Sequence, residues 1–157
     1  MKAASVKDLK KELQQRSTFE LVALCLRLSK FKKENKELLS YLLFEADDED
    51  TFIRRTEAEM LEQFSAINTN WSQVVIKKGV VKILRGVKTT IRYSTKKETE
   101  VELLLFFCAQ MKELRPPIKR IQVLHNLYER QLDRIRKVIP LLHEDLQHDY
   151  TVELERL

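Results

Sequence analysis

Apolar residues recur at spacings of three and four along nearly the whole chain, and polar caps cut this pattern into about seven helices. Ser5 followed by Asp8 predicts a short helix from 6 to about 15. Ser17 followed by Glu20 has the spacing of a capping box, in which each side chain satisfies the other's free backbone donor, so a second helix should run from 18 to about 30. A third begins near Asn35 and carries Leu38, Leu39, Tyr41, Leu42, Leu43 and Phe44. The acidic run Asp47-Asp48-Glu49-Asp50 reads as a loop. It puts negative charge at the start of a fourth helix, where the helix dipole favours it, and that helix should reach about 67 and stop at 68–70.

The fifth helix is expected over 71–93. Gly79 and Gly86 lie inside it, each costing about 1 kcal/mol against Ala, so a break or a close helix approach is expected there. Its β-branched residues also suit a strand, but the spacing of Val80, Leu84, Val87 and Ile91 favours helix. The sixth helix should span 97–114 and end before Pro116-Pro117. A seventh should start at Pro117, a good first helical position. Pro140 should kink or end it, leaving a short piece over about 141–155.

Two of these helices are apolar on almost every side. One carries Leu21, Val22, Leu24, Cys25, Leu26 and Leu28. The other carries Val101, Leu103, Leu104, Leu105, Phe106, Phe107, Cys108 and Met111. Helices of that kind are normally buried, so both are expected at the centre of the core. The seventh is one-sided, with Ile118, Ile121, His125, Tyr128, Leu132, Ile135, Ile139 and Leu142 forming a heptad seam. Packing along a bundle accounts for that seam better than a coiled-coil dimer, because it lasts only about three heptads. Helical hairpins over 18–46, 50–93 and 97–139 show no self-similar repeat. The expected fold is all-α: a single domain over 1–157 of about seven antiparallel helices, arranged as a bundle or an irregular superhelix of hairpins.

Composition agrees with this reading and narrows it. Apolar residues make up 43% of the 157 positions, too many for a disordered chain, and only two glycines and three prolines are present, too few for the turns of an all-β fold. No segment reaches the roughly 18 apolar residues of a membrane span, and residues 1–11 lack an apolar signal core. Cys25 and Cys108 sit far apart in apolar runs, and both read as small, reduced core residues, which points to the cytoplasm.

Charge supplies the most distinct surface feature. Between Gln63 and Lys97 there is no acidic residue, although the overall net charge is only +5. On a helical wheel Lys78, Lys82, Arg85, Arg92 and Lys96 share a face opposite Val80, Leu84, Val87 and Ile91. These five are the candidate face for an anionic partner, either an acidic protein or the phosphates of a nucleic acid. Against that stands a solvated or internally paired face, since acidic blocks flank the basic one and aromatic residues for base stacking are thin, only Trp71 and Tyr93 being near. Arg130, Arg134 and Lys137 form a second basic stripe on the outward side of the seventh helix.

Signals for catalysis are weak. There is no nucleophile elbow and no glycine-rich phosphate loop. His125, in the apolar seam, reads as a hydrogen-bonded core histidine. Asp145 and Glu144 share a helix face with His148, but the repeated Glu-x-x-His pattern of a di-metal bundle is missing. No catalytic residue, metal ligand or cofactor site is therefore expected. The stretches Lys33-Glu34-Asn35-Lys36-Glu37-Leu38-Leu39-Ser40-Tyr41-Leu42-Leu43-Phe44-Glu45-Ala46, Ile91-Arg92-Tyr93-Ser94 and Leu142-His143-Glu144-Asp145-Leu146-Gln147 resemble segments of a group of uncharacterised bacterial all-helical proteins. The resemblance implies a bacterial cytoplasmic protein and no activity, ligand or partner. The functional expectation is a non-enzymatic helical module that binds another protein. The alternative is weak, sequence-independent nucleic-acid binding through the basic face at about 71–93. Oligomeric state is open at this point.

Overall fold

The structure, a computed structural model, describes residues 2–68 and 70–157. Met1 and Thr69, the latter part of the expected stop at 68–70, lie outside the described residues. Among the described residues the regular structure is entirely helical: α1 (Val6–Leu13), α2 (Thr18–Phe31), α3 (Lys33–Phe44), α4 (Glu49–Ser65), α5 (Gln73–Ser94), α6 (Lys97–Glu113), α7 (Gln122–Val138) and α8 (Glu144–Glu155). The chain divides into two compact units, Met1–Leu43 and Phe44–Leu157.

Capping chemistry sets the helix starts in the first unit. Ser5 Oγ accepts from the Asp8 amide at 3.2 Å and opens α1. At α2 the expected capping box forms, with the Glu20 amide donating to Ser17 Oγ and the Ser17 amide donating to Glu20. These bonds hold the Glu20 carboxyl below the usual carboxylate range. Only Lys32 separates α2 from α3, which starts at Lys33, within the charged stretch around Asn35 where it is expected; the Asn35 side chain donates to the Leu28 carbonyl at 2.9 Å. Caps and propensity produce helices here, but they produce no core. Tyr41 is the sole buried side chain among the described residues of this unit, and α2 has none.

This overturns the expectation that α2 is a central core helix. Leu24 is 40% exposed, and Cys25 is exposed as well. The reason lies in the neighbours: no pair among α1, α2 and α3 packs closely along its length. An apolar helix stays exposed when no second surface is brought against it.

The second unit holds a continuous core, running from Ile53 to Tyr150. Here α6 is the hub and packs against α4, α5, α7 and α8. Val101, Leu103, Leu104, Phe107, Cys108 and Met111 are all buried, so the expectation holds for this helix. Phe107 meets Phe64 of α4 with ring centroids 5.5 Å apart and tilted planes. α5 runs unbroken through both glycines, so of the two expected alternatives the break is absent and a close approach is found at Gly79 alone. A Cβ at Gly79 would sit 3.5 Å from the Ile67 side chain, and one at Gly86 would meet nothing within 4 Å.

The heptad seam of α7 is spent on this core: Tyr128, Leu132, Ile135, Ile139 and Leu142 are buried in it. Its start differs from expectation. Pro117 does not open α7; a single 3-10 turn, Ile118–Arg120, precedes an extended Ile121. In a 3-10 turn residues three apart eclipse, which sends both Ile118 and Ile121 into the core. His125 also departs from expectation, since its Nδ1 is buried without a hydrogen-bond partner among the described residues. Pro140 ends α7 as expected, within the 3-10 turn Ile139–Leu141.

Candidate functional site

Three surfaces carry chemistry. The first is built on α5, whose apolar side (Ile76, Val80, Ile83, Leu84, Val87) is buried and whose opposite side is therefore turned to solvent. Lys78, Lys82, Arg85 and Arg92 are all exposed there, as the wheel predicts. Lys96 is not on that face. α5 stops at Ser94, Thr95 takes a left-handed conformation with φ of 60°, and Lys96 lies at the corner that opens α6. There Lys96 Nζ is 3.0 Å from a carboxylate oxygen of Glu49.

Glu49 is itself a correction to the reading of 47–50 as a loop, because α4 begins with it after Asp48 caps the helix. Its carboxylate also accepts from the hydroxyls of Ser94 and Thr99, the latter at 2.6 Å. This partly buried knot ties the start of α4 to the α5–α6 corner.

Between α5, α6 and α7 lies a shallow groove of about 800 Å³. Its floor is aliphatic, from Val81, Leu84, Ile91 and Leu104. Its rim is basic, from Arg85, Lys88, Arg92, Lys96, Lys97 and Arg134. Of the candidate face, Arg85, Arg92 and Lys96 line this groove, while Lys78 and Lys82 extend the same row beyond it along α5. Lys88, Lys97 and Arg134 join the rim. Lys97 and Arg134 come from other helices, so a wheel of α5 alone could not place them. Arg130, Arg134 and Lys137 are exposed, as the outward stripe expected for α7 requires, and Arg134 also donates from its Nε to Glu100 at 2.6 Å. Glu100 is the groove's single acid and is also 3.5 Å from Lys97 Nζ. Internal pairing therefore claims Lys96, Lys97 and Arg134. Lys78, Lys82, Arg85, Lys88 and Arg92 have no carboxylate within 4 Å among the described residues.

The second surface has the opposite charge. A groove of about 620 Å³ between α4, α6 and α8 is lined by Glu57, Glu102, Asp149 and Glu153 over Leu105, Phe106 and Leu146. Partial burial, reinforced by the fields of Glu102 and Glu153, pushes the Glu57 carboxyl up. The Tyr150 hydroxyl donates to Glu102, and burial together with that bond raises the phenol. This acidity was not singled out from sequence, because its carboxylates come from three helices.

The third surface is the first unit's apolar exterior. Twelve of the nineteen large apolar side chains left exposed fall within residues 2–43, against seven in the much longer second unit. Among the described residues, no group of three His, Cys, Asp or Glu side chains is placed to hold a metal ion, and no helix is long and apolar enough to cross a membrane. No family model matches the chain, and no curated protein or solved structure is detectably similar to it.

Proposed function

We propose that this chain is a non-enzymatic helical protein-interaction module that associates with a second copy of itself through the apolar surface of α1, α2 and α3. The observation that supports it is the exposure of α2, a helix apolar on nearly every side with no buried residue. Val6, Leu9 and Leu13 of α1 and Leu38, Leu42 and Leu43 of α3 extend that surface. Together the exposed apolar residues of the unit offer on the order of 1,000 Å², enough for the roughly 800 Å² per partner of a standard interface. A helix apolar all round needs covering from more than one direction, which a bundle of helices from two copies provides.

Charge gives the reading a distinctive sign. Residues 1–43 contain ten basic and five acidic side chains, a net charge of +5. Two such units repel one another, so added salt should tighten self-association by screening that repulsion, whereas an acidic partner of another kind would be loosened. Light scattering across a salt series tests this. The wild type should be dimeric or larger and more firmly so at high salt. The double variant Val22→Glu, Leu26→Glu should be monomeric with the second unit's melting unchanged. A wild type that stays monomeric at micromolar concentration, or a variant that still associates, overturns the proposal.

A further inference from the structure

The groove between α5, α6 and α7 lies wholly within the second unit and does not depend on self-association. We infer that it, with the row of cations leading into it along α5, binds the phosphate backbone of double-stranded nucleic acid without regard to sequence. The second unit as a whole has nineteen basic and nineteen acidic residues and is neutral, so its basic side reflects segregation and not surplus charge. That segregation is sharp. α5 carries six cations and no acid, while acids gather in the groove between α4, α6 and α8.

The shape of the row selects the ligand. Lys78, Lys82, Arg85, Thr89 and Arg92 follow one another at spacings of four, three, four and three, the period of one helix face. From Lys78 to Arg92 they span about 21 Å at 1.5 Å per residue. Cations strung out over that length suit an extended polyanion, whereas a single phosphate needs donors that converge. The row is also ordered. Thr89 donates to the Arg85 carbonyl at 3.0 Å and accepts from an Arg92 guanidinium nitrogen at 3.4 Å. Guanidinium groups match phosphate oxygens with two parallel donors, which lysines do not.

Other ligands fit less well. A membrane surface would need apolar side chains beside the cations, yet those of α5 are committed to the core. Single-stranded nucleic acid is held largely by stacking of bases on aromatic rings, and no aromatic side chain lines the groove. With no side chain offered to the bases, contact stops at the backbone, which carries no sequence information. Glu100 then acts as a brake, because it neutralises Arg134 and Lys97 at the groove's end.

Fluorescence anisotropy with labelled mixed-sequence duplex DNA tests the inference. At low salt the wild type should bind, and the logarithm of its affinity should fall with the logarithm of salt at a slope of about −0.9 for each phosphate neutralised. The triple variant Lys78→Gln, Arg85→Gln, Arg92→Gln should flatten that slope by about 2.7. Glu100→Gln, which releases two cations, should steepen it, and Arg130→Gln, outside the groove, should leave it alone. Should the triple variant fail to fold, Glu100→Gln and the wild type still decide the matter. A wild type that ignores duplex DNA at low salt, prefers a single strand of equal length, or binds polyglutamate instead overturns the inference. So does a slope indifferent to both groove variants.

Discussion

Helices α2 and α6 start from nearly the same specification and end in opposite places. Each is a well-capped or well-flanked helix with apolar residues on almost every side, and each carries one cysteine. In α6 those sides are met by α4, α5, α7 and α8, so Leu104 is 1% exposed and Phe107 and Cys108 are fully buried. In α2 they are met by nothing comparable, and Phe19 and Phe31 are 84% and 78% exposed. Apolarity states a need for burial. Whether the need is met inside one chain depends on which other elements arrive, and on how many sides.

The widest difference should appear in thiol labelling. Cys25 should react within seconds to minutes at neutral pH in protein dilute enough to be monomeric, while Cys108 should wait for global opening, orders of magnitude more slowly. Burial pushes the Cys108 thiol up from 9.0 to about 12. A group whose neutral form is favoured by folding contributes its stability in full below its unfolded value. That contribution should shrink as pH rises from about 9 towards 12, and Tyr128, raised to about 12 from 10.0, acts in the same direction. Chemical denaturation across that range should show falling stability. Equal labelling of both cysteines would erase the distinction between the two helices.

Truncation gives the next largest contrast. Leu104→Ala should cost about 2–5 kcal/mol through lost burial and a residual cavity. Leu24→Ala, already exposed, should change the stability of dilute protein by no more than about 0.5 kcal/mol. Urea unfolding measures both, and similar costs would mean that α2 belongs to a core after all.

The polar knot at the α5–α6 corner offers a smaller effect. Thr99 is fully buried and donates to Glu49, so Thr99→Val should cost about 0.5–1.5 kcal/mol by removing one of the two hydroxyl donors to a partly buried carboxylate oxygen. A cost near zero would show that the knot follows the packing and does not support it.

Smallest is Gly86→Ala. The site is exposed, helical and open, with nothing within 4 Å of the added carbon. Thermal melting should show a gain of up to about 1 kcal/mol from the better helix former. A loss would place another surface over that side of α5.

What the sequence by itself determined is local. Ser5 and the Ser17–Glu20 box start their helices because side chains within one turn satisfy free backbone donors. Pro140 ends α7 because it has no donor to give. The α5 wheel is legible because the 3.6 period relates residues of one helix, and its exposed cations lie where the wheel puts them. What the tertiary structure decided is everything that requires a second element. It left α2 and Cys25 uncovered while burying Cys108. It moved Lys96 off the α5 face to a corner beside Glu49. It brought Arg134 from α7 and Lys97 from α6 to the groove on either side of Glu100, and gathered carboxylates of α4, α6 and α8 into one acidic surface. A chain's local periodicity fixes which side of a helix is apolar or charged, because neighbours in sequence share that helix. It does not say what faces that side, because the partner is set by packing between residues far apart along the chain.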